Sequence, residues 1–156
     1  MTEQNWVINA SPLILLGKIN QLELVERLAS RLIVPQSVTD EIAAGTQDRS
    51  IQSTLNWAQR HIHPDIAVPV SILKWDIGAG ESQVLAQCMR HNGSKAVLDD
   101  GEARAAAQAH QIPLVGTLGI ILRAKQSGLV AEAKPLIEQL LANGSYLFAH
   151  RKEAYQ

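Results

Sequence analysis

The sequence is poor in cysteine and in aromatic residues. Cys88 is the only cysteine in 156 residues, which excludes an internal disulfide framework, a thiolate zinc cluster and a Cys-x-x-Cys redox pair. Aromatic residues make up 4% of the chain, and Trp6, Trp57 and Trp75 lack the interleaved basic residues of a base-stacking platform. We therefore expect the tryptophans to pack in the core or at an interface.

The chain also has no excess of charge and no long apolar run. Its 14 basic and 15 acidic residues give a formal net charge of -1, which provides no overall positive field to hold nucleic acid. Any contact with nucleic acid must therefore be local. The longest apolar stretch near the N-terminus, residues 13–16, is far below the ~18 residues that span a bilayer. Together with the single cysteine, this favours a cytoplasmic protein without a membrane anchor.

What the chain does have is the composition of an ordinary globular protein. It is 46% hydrophobic and 19% charged, which excludes a wholly disordered or collagen-like chain. Since domains usually run to about 100–200 residues, the length predicts a single domain over residues 1–156. We expect its core at about residues 6–146 and a polar tail from about residue 150.

Short apolar runs alternate with segments of helical periodicity. Strand-like runs occur at residues 6–8, 32–34, 96–98 and 114–115, and residues 146–148 are expected to form an edge strand. Ser11 is the expected N-cap of the first helix, and Glu81 is expected to begin a helix after a glycine turn. This alternation predicts βαβ units, and therefore an α/β protein whose parallel sheet is covered by helices on both faces.

Polar side chains follow two of the predicted strands. Asn9 comes after the first, and Asp99 and Asp100 come after a later one. The carboxyl ends of parallel strands form the usual ligand crevice, and Glu41 and Glu81 lie on helices that start at that edge. Such a group of acids needs a cation, and its oxygen ligands suit Mg²⁺ or Mn²⁺. Taken singly, each acid fits a surface or helix-capping role at least as well.

Five motifs in order resemble the PIN-domain superfamily, and within it a PIN-like subfamily of nucleic-acid-binding proteins. The matching segments are Val7-Ile8-Asn9-Ala10-Ser11-Pro12-Leu13-Ile14, Val34-Pro35 followed by Glu41-Ile42, Gly80-Glu81, Val97-Leu98-Asp99-Asp100 with Arg104, and Gly116-Thr117-Leu118-Gly119 with Ala124-Lys125. The resemblance runs from Trp6 to about Tyr146. It implies a three-layer α/β/α sandwich and a metal-dependent ribonuclease, often the toxin of a toxin-antitoxin pair.

The resemblance also implies a set of site residues. The first acid of the family falls on Asn9, the second on Glu41, the third on Glu81, and the fourth on Asp99 or Asp100. We accordingly predict that Glu41, Glu81, Asp99 and Asp100 are catalytic, and that Asn9, Glu41, Glu81 and Asp99 bind the metal. Asn9 departs from the family's usual Asp and brings one negative charge fewer, so weaker metal binding is expected.

Three further residues are predicted to contact substrate. Ser11 would hold a water or a phosphate, although an N-cap role explains it equally well. Arg104 would contact a backbone phosphate, and the competing interpretation is an i,i+4 ion pair with Asp100. Thr117 lies in a glycine-bounded turn at a helix N-terminus, where free N–H groups bind anions.

Three functions compete at this point. The first is a Mg²⁺- or Mn²⁺-dependent endoribonuclease acting on RNA, with an antitoxin protein as its partner. The second is a catalytically weak PIN-like module that binds a protein or RNA, and the third is a receiver-like phosphoacceptor domain, in which the acidic pair would follow the first strand. The apolar side chains of the C-terminal half predict a homodimer. They are Ile120, Ile121, Leu122, Leu136, Ile137, Leu140 and Leu141.

Overall fold

A central parallel sheet of five strands organises the protein. The computed structural model describes the backbone of residues 4–155 and the side chains of residues 4–144. The strands are β1 (Asn5–Ile8), β2 (Arg31–Pro35), β3 (Ile62–His63), β4 (Lys95–Val97) and β5 (Leu114–Val115). All neighbours are parallel, in the order β3-β2-β1-β4-β5. The predicted α/β fold with a parallel sheet is confirmed.

Helices cover both faces of the sheet. They are α1 (Ala10–Lys18), α2 (Leu22–Leu28), α3 (Gln36–Ala44), α4 (Arg49–Ala58), a 3-10 turn (Gln59–His61), α5 (Val70–Leu73), α6 (Ala79–Arg90), α7 (Gly101–Ala109), α8 (Thr117–Gln126) and α9 (Lys134–Tyr155). Helix α6 packs across β1, β2 and β4, whereas α1 packs with α4, α8 and α9. The strands between these layers are apolar on both faces, as parallel strands covered by helices must be: Val7, Ile33 and Val97 are fully buried.

The strand order places a switch point beside β1. The chain first moves outward from β1 through β2 to β3, and then returns to the other side of β1 for β4 and β5. At such a reversal the connections after β1 and β4 leave toward opposite faces, which opens a crevice at the carboxyl ends of these two strands. Asn9 follows β1 and Asp99 follows β4, so both lie at this crevice.

Three local predictions were wrong. The first helix is capped by Asn9 rather than Ser11, and Pro12 falls in its first turn, where its missing N–H costs nothing. Helix α6 begins at Ala79 after Gly78, which puts Glu81 at its third position. Residues 146–148 are helical rather than an edge strand, because α9 continues past a non-helical Gly144 to Tyr155.

The apolar C-terminal half is mostly covered by the chain itself. Ile120, Ile121 and Leu140 are fully buried, and Leu136 is nearly so. Only Leu122 and Leu141 of the residues invoked for a dimer are largely exposed, at 48% and 44%. The surplus of apolar surface expected from the sequence is therefore small, because α8 and α9 pack against α1 and α2.

Candidate carboxylate site

Four polar residues converge at the crevice: Asn9, Glu41, Glu81 and Asp100, here called the carboxylate cluster. Asn9 begins α1, Glu41 lies in the second half of α3, and Glu81 lies in the first turn of α6. Asp100 is the N-cap of α7, where its carboxylate accepts a hydrogen bond from the N–H of Ala103 at 3.0 Å. Four separate segments thus bring one amide and three carboxyl groups to the same edge of the sheet.

Glu81 is the electrostatic centre of the carboxylate cluster. Burial raises the pKa of its carboxyl, and the negative charges of Asp100 and Glu41 raise it as well. Two hydrogen bonds act in the opposite direction: the N–H of Gly78 donates to Glu81 Oε2 at 2.8 Å, and the side chain of Asn9 donates to the same carboxyl group. The raised pKa means that the like charges and the partial burial outweigh these two donors.

Asn9 is the least satisfied side chain of the cluster. It is 4% exposed, and its Oδ1 has no hydrogen-bond partner among the residues that the structure describes. A Cβ on Gly80 would lie 3.4 Å from this oxygen and 3.8 Å from Glu41 Oε1, so both oxygens face the space that the glycine leaves open. A buried amide oxygen without a donor is costly, and a cation is a ligand that satisfies it.

The donor set fits a hard divalent cation with few protein ligands. Within residues 4–144, no three His, Cys, Asp or Glu side chains are close enough together to hold one ion. Mg²⁺ commonly keeps several waters and takes only one or two protein carboxylates, and a neutral amide oxygen is a further suitable ligand. Asn9, Glu41 and Glu81 therefore fit an ion of this class, whereas a fully protein-coordinated ion does not fit.

Asp99 faces a different partner from the rest of the predicted acids. It is 3% exposed and accepts hydrogen bonds from the Thr117 N–H at 2.9 Å and from the Thr117 hydroxyl at 2.5 Å. Thr117 is fully buried at the start of α8, so Asp99 takes the position expected there for a substrate phosphate. The structure therefore explains Thr117 as a positioning residue for Asp99.

The structure also places Arg104 and Ser11, the other two residues predicted to contact substrate. Arg104 donates from Nη1 to the carbonyl oxygen of Leu98 at 2.8 Å, which ties α7 to the end of β4. Ser11 lies half-buried in the first turn of α1, two residues after Asn9. Arg104 thus contacts the backbone at the end of β4, and Ser11 follows Asn9 at the start of α1.

A set of hydrogen bonds that the sequence did not reveal connects α3, which carries Glu41, to α6, which carries Glu81. Gln83 on α6 accepts from the N–H of Ile66 at 3.0 Å and donates to its carbonyl at 2.6 Å, and Gln87 donates to Pro64 at 3.0 Å. Asp65 accepts from the N–H of Ser37, at the start of α3, at 3.0 Å. Residues 64–66 therefore join α3 to α6, a role for which no sequence motif exists.

The chain belongs to the PIN domain family, since the family model for the PIN domain matches residues 5–154. Among solved structures, that of the PIN domain endonuclease Utp24 has a similar fold, with a TM-score of 0.50. The two chains are 14% identical, and the match covers 72% of this chain and 84% of that one. No curated protein matches the sequence. None of the helices in the part of the chain described is long and apolar enough to cross a membrane.

Proposed function

We propose that the chain is a divalent-cation-dependent endoribonuclease whose carboxylate cluster holds Mg²⁺ or Mn²⁺ at the carboxyl ends of β1 and β4. The observation that carries the proposal is the buried Oδ1 of Asn9, which lacks a partner in the described part of the chain and faces the same gap as Glu41. Membership of the PIN domain family and the likeness to an endonuclease fold support the same class of activity.

The residues of the cluster have different roles because their surroundings differ. Glu41 is exposed and Glu81 is half-buried, so the two carboxylates present oxygens from the rim and from the wall of the crevice. Asn9 holds Glu81 by a hydrogen bond and offers its own oxygen toward Glu41. Asp99 keeps the start of α8 against the end of β4 through Thr117. A bound divalent cation would neutralise the carboxylates and polarise the phosphate, which is what lets an anionic substrate approach.

The test is cleavage of a labelled single-stranded RNA with and without the cation. We expect cleavage with Mg²⁺ or Mn²⁺, none with EDTA, and little with Glu81→Gln. Glu23→Gln is a matched control, because Glu23 is an exposed glutamate on α2, away from the cluster. Cleavage that survives EDTA, or an equally strong loss with Glu23→Gln, contradicts the proposal.

A binding module remains the second candidate, and Asn9 favours it. An amide in place of a carboxylate, together with the lack of a three-acid group among the described side chains, lowers the expected affinity for the cation. Titration calorimetry with Mn²⁺ separates the two candidates. Heat of binding that is lost in Glu41→Gln supports the nuclease, and RNA binding without any cation binding supports the module.

We also propose a homodimer and an antitoxin partner, as the family resemblance implies. The exposed Leu122 on α8 and Leu141 on α9 are the remaining apolar side chains for an interface between copies. A molar mass near 17 kDa by light scattering at micromolar concentration would contradict the dimer. A neighbouring reading frame for a small antitoxin-like protein would support the toxin role, and its absence would weaken it.

A further inference from the structure

An exposed segment with one tryptophan, residues 70–75, lies shortly before the helix that carries Glu81. Helix α5 is a single turn after Pro69, and its Ile72 is fully buried while Val70 and Leu73 are 68% and 55% exposed. Trp75 follows at 38% exposure. Because Ile72 anchors the turn and α5 packs on α6, the outward position of these side chains is a fixed feature of the fold.

The segment is close to the proposed site. Trp75 precedes Gly78 by three residues, and since consecutive Cα atoms are about 3.8 Å apart, the two Cα atoms lie within about 11 Å of each other. Gly78 donates its N–H to Glu81, so the turn that carries Trp75 ends on the wall of the crevice. Lys74 and Asp76 are both exposed on either side of Trp75, so the segment has no net charge and Lys74 is the cation beside the ring.

Trp75 also differs from the other tryptophans. Trp6 is 2% exposed in β1, and Trp57 is half-buried against His61 and Glu26. Trp75 alone of the tryptophans is exposed, so of the two expected roles, packing in the core and packing at an interface, only the second remains open to it. The net charge of -1 and the acidic crevice do not attract a polyanion, so binding a strand there needs a local cation together with an uncharged contact.

We infer that Trp75 and Lys74 form a strand-binding surface beside the carboxylate cluster, on which single-stranded RNA stacks a base and places a phosphate. The inference rests on the proposed nuclease function and names the form of its substrate. A tryptophan ring stacks on any base, because every base has a π-face, and a neighbouring lysine pairs with the phosphate as a point charge. The surface would therefore select unpaired strands without selecting a sequence.

The experiment measures anisotropy of a fluorescein-labelled oligouridylate with Glu81→Gln protein in the presence of Mg²⁺, because this variant is expected to cleave little. Adding Trp75→Ala or Trp75→Leu should weaken binding about tenfold, while Trp75→Phe keeps most of the affinity. Lys74→Ala should reduce the slope of log affinity against log salt by about 0.7, the value for one phosphate contact on a single strand. Met89→Ala and Lys134→Ala are matched controls on other exposed positions.

Three results would overturn the inference. Trp75→Leu binding as well as the parent protein would show that an apolar side chain suffices and that no base stacks there. A salt slope unchanged in Lys74→Ala would exclude the phosphate contact. If Trp75→Ala converts a dimer to a monomer by light scattering, the surface is an interface between copies of the chain. Wild-type protein that neither binds nor cleaves RNA would contradict the proposed function itself.

Discussion

Two polar clusters lie at opposite ends of the strands, and their charges are arranged in opposite ways. At the carboxyl ends of the strands, Glu81 faces the carboxylates of Glu41 and Asp100. Near the amino ends of β2 and β3, Glu26 accepts a hydrogen bond from Trp57 Nε1 and lies 3.5 Å from Arg60 and 3.9 Å from His61. The second group is called the Glu26 cluster.

The difference indicates what each cluster is for. In the Glu26 cluster a single carboxylate faces a neutral donor and the Arg60 cation, so its charge is matched within the protein. The contacts join α2 to the end of α4. In the carboxylate cluster, like charges meet around a half-buried glutamate. Among the described residues each cluster has one buried atom without a hydrogen bond, Asn9 Oδ1 here and His61 Nε2 in the Glu26 cluster, so the arrangement of charge is what differs. Like charges held close together cost stability, and a ligand that supplies positive charge would offset that cost.

The largest expected effect is on catalysis at the carboxylate cluster. Glu41→Gln and Glu81→Gln should each lower RNA cleavage by about 100-fold or more, because each removes a charge that holds the cation. The free energy of unfolding without metal should stay unchanged or rise, since one repulsion disappears and the amide oxygen introduced by Glu81→Gln can still accept from the N–H of Gly78. Single-turnover cleavage and chemical denaturation in EDTA measure the two effects. A cluster whose charges serve stability would show lower stability instead.

Asn9→Asp adds a further negative charge to the carboxylate cluster, which should increase both its affinity for a cation and its repulsion without one. The new carboxylate would no longer donate to Glu81 and would face Glu41 across the gap beside Gly80. We expect Mn²⁺ to bind about tenfold more tightly and the metal-free protein to lose about 1–2 kcal/mol of stability. Calorimetry and denaturation with and without Mn²⁺ test both parts. Unchanged Mn²⁺ affinity would mean that residue 9 does not face the cation.

The same change of Glu to Gln should have the reverse effect on stability in the Glu26 cluster. Glu26→Gln keeps an oxygen for Trp57 but loses the attraction to Arg60, whose side chain is 64% exposed. We expect a loss of about 1 kcal/mol, below the range of a typical charged hydrogen bond, because solvent screens the pair. Cleavage should be unchanged. A stability gain would show that the match of charges in this cluster is not stabilising.

The smallest effect is on the pH dependence of stability. Burial lowers the pKa of His61 despite the nearby Glu26, so the unfolded chain takes up a proton at about 6.5 while the folded protein still resists it. Stability therefore falls as the pH drops below about 6.5, and His61→Phe should reduce that fall. The pKa of His63 is also lowered by burial, so His63 should still contribute to the fall in stability in the His61→Phe variant.

The carboxylate cluster should show the opposite slope. Because the pKa of Glu81 is raised, the folded protein takes up this proton first, and protonation stabilises it as the pH falls toward 4.5. Glu81→Gln should remove that gain while leaving the His61 effect intact. Thermal unfolding between about pH 4.5 and 7 of the two single variants and the double variant checks the separation. Effects that do not add would contradict two independent clusters.

Much of the fold could be predicted because its signals are local. Short apolar runs predicted four of the five strands, and the fifth, Ile62–His63, has no such run. Caps were less predictable: the side chain of Asn9 makes no capping hydrogen bond, so the end of β1 and the packing decide where α1 starts. At α6 the N-cap is Gly78, whose own N–H donates to Glu81 in the first turn of the helix.

The sequence by itself determined that Asn9 and the Asp99-Asp100 pair follow strands and that Glu41 and Glu81 lie on helices, because periodicity and turn residues act over a few positions. Only the tertiary structure decided which of the acids meet. Asp99 pairs with Thr117, 18 residues away, whereas Asp100 caps α7 and acts on Glu81. Adjacent residues at the end of a strand point in different directions, and which neighbour each one finds depends on where the following helices pack.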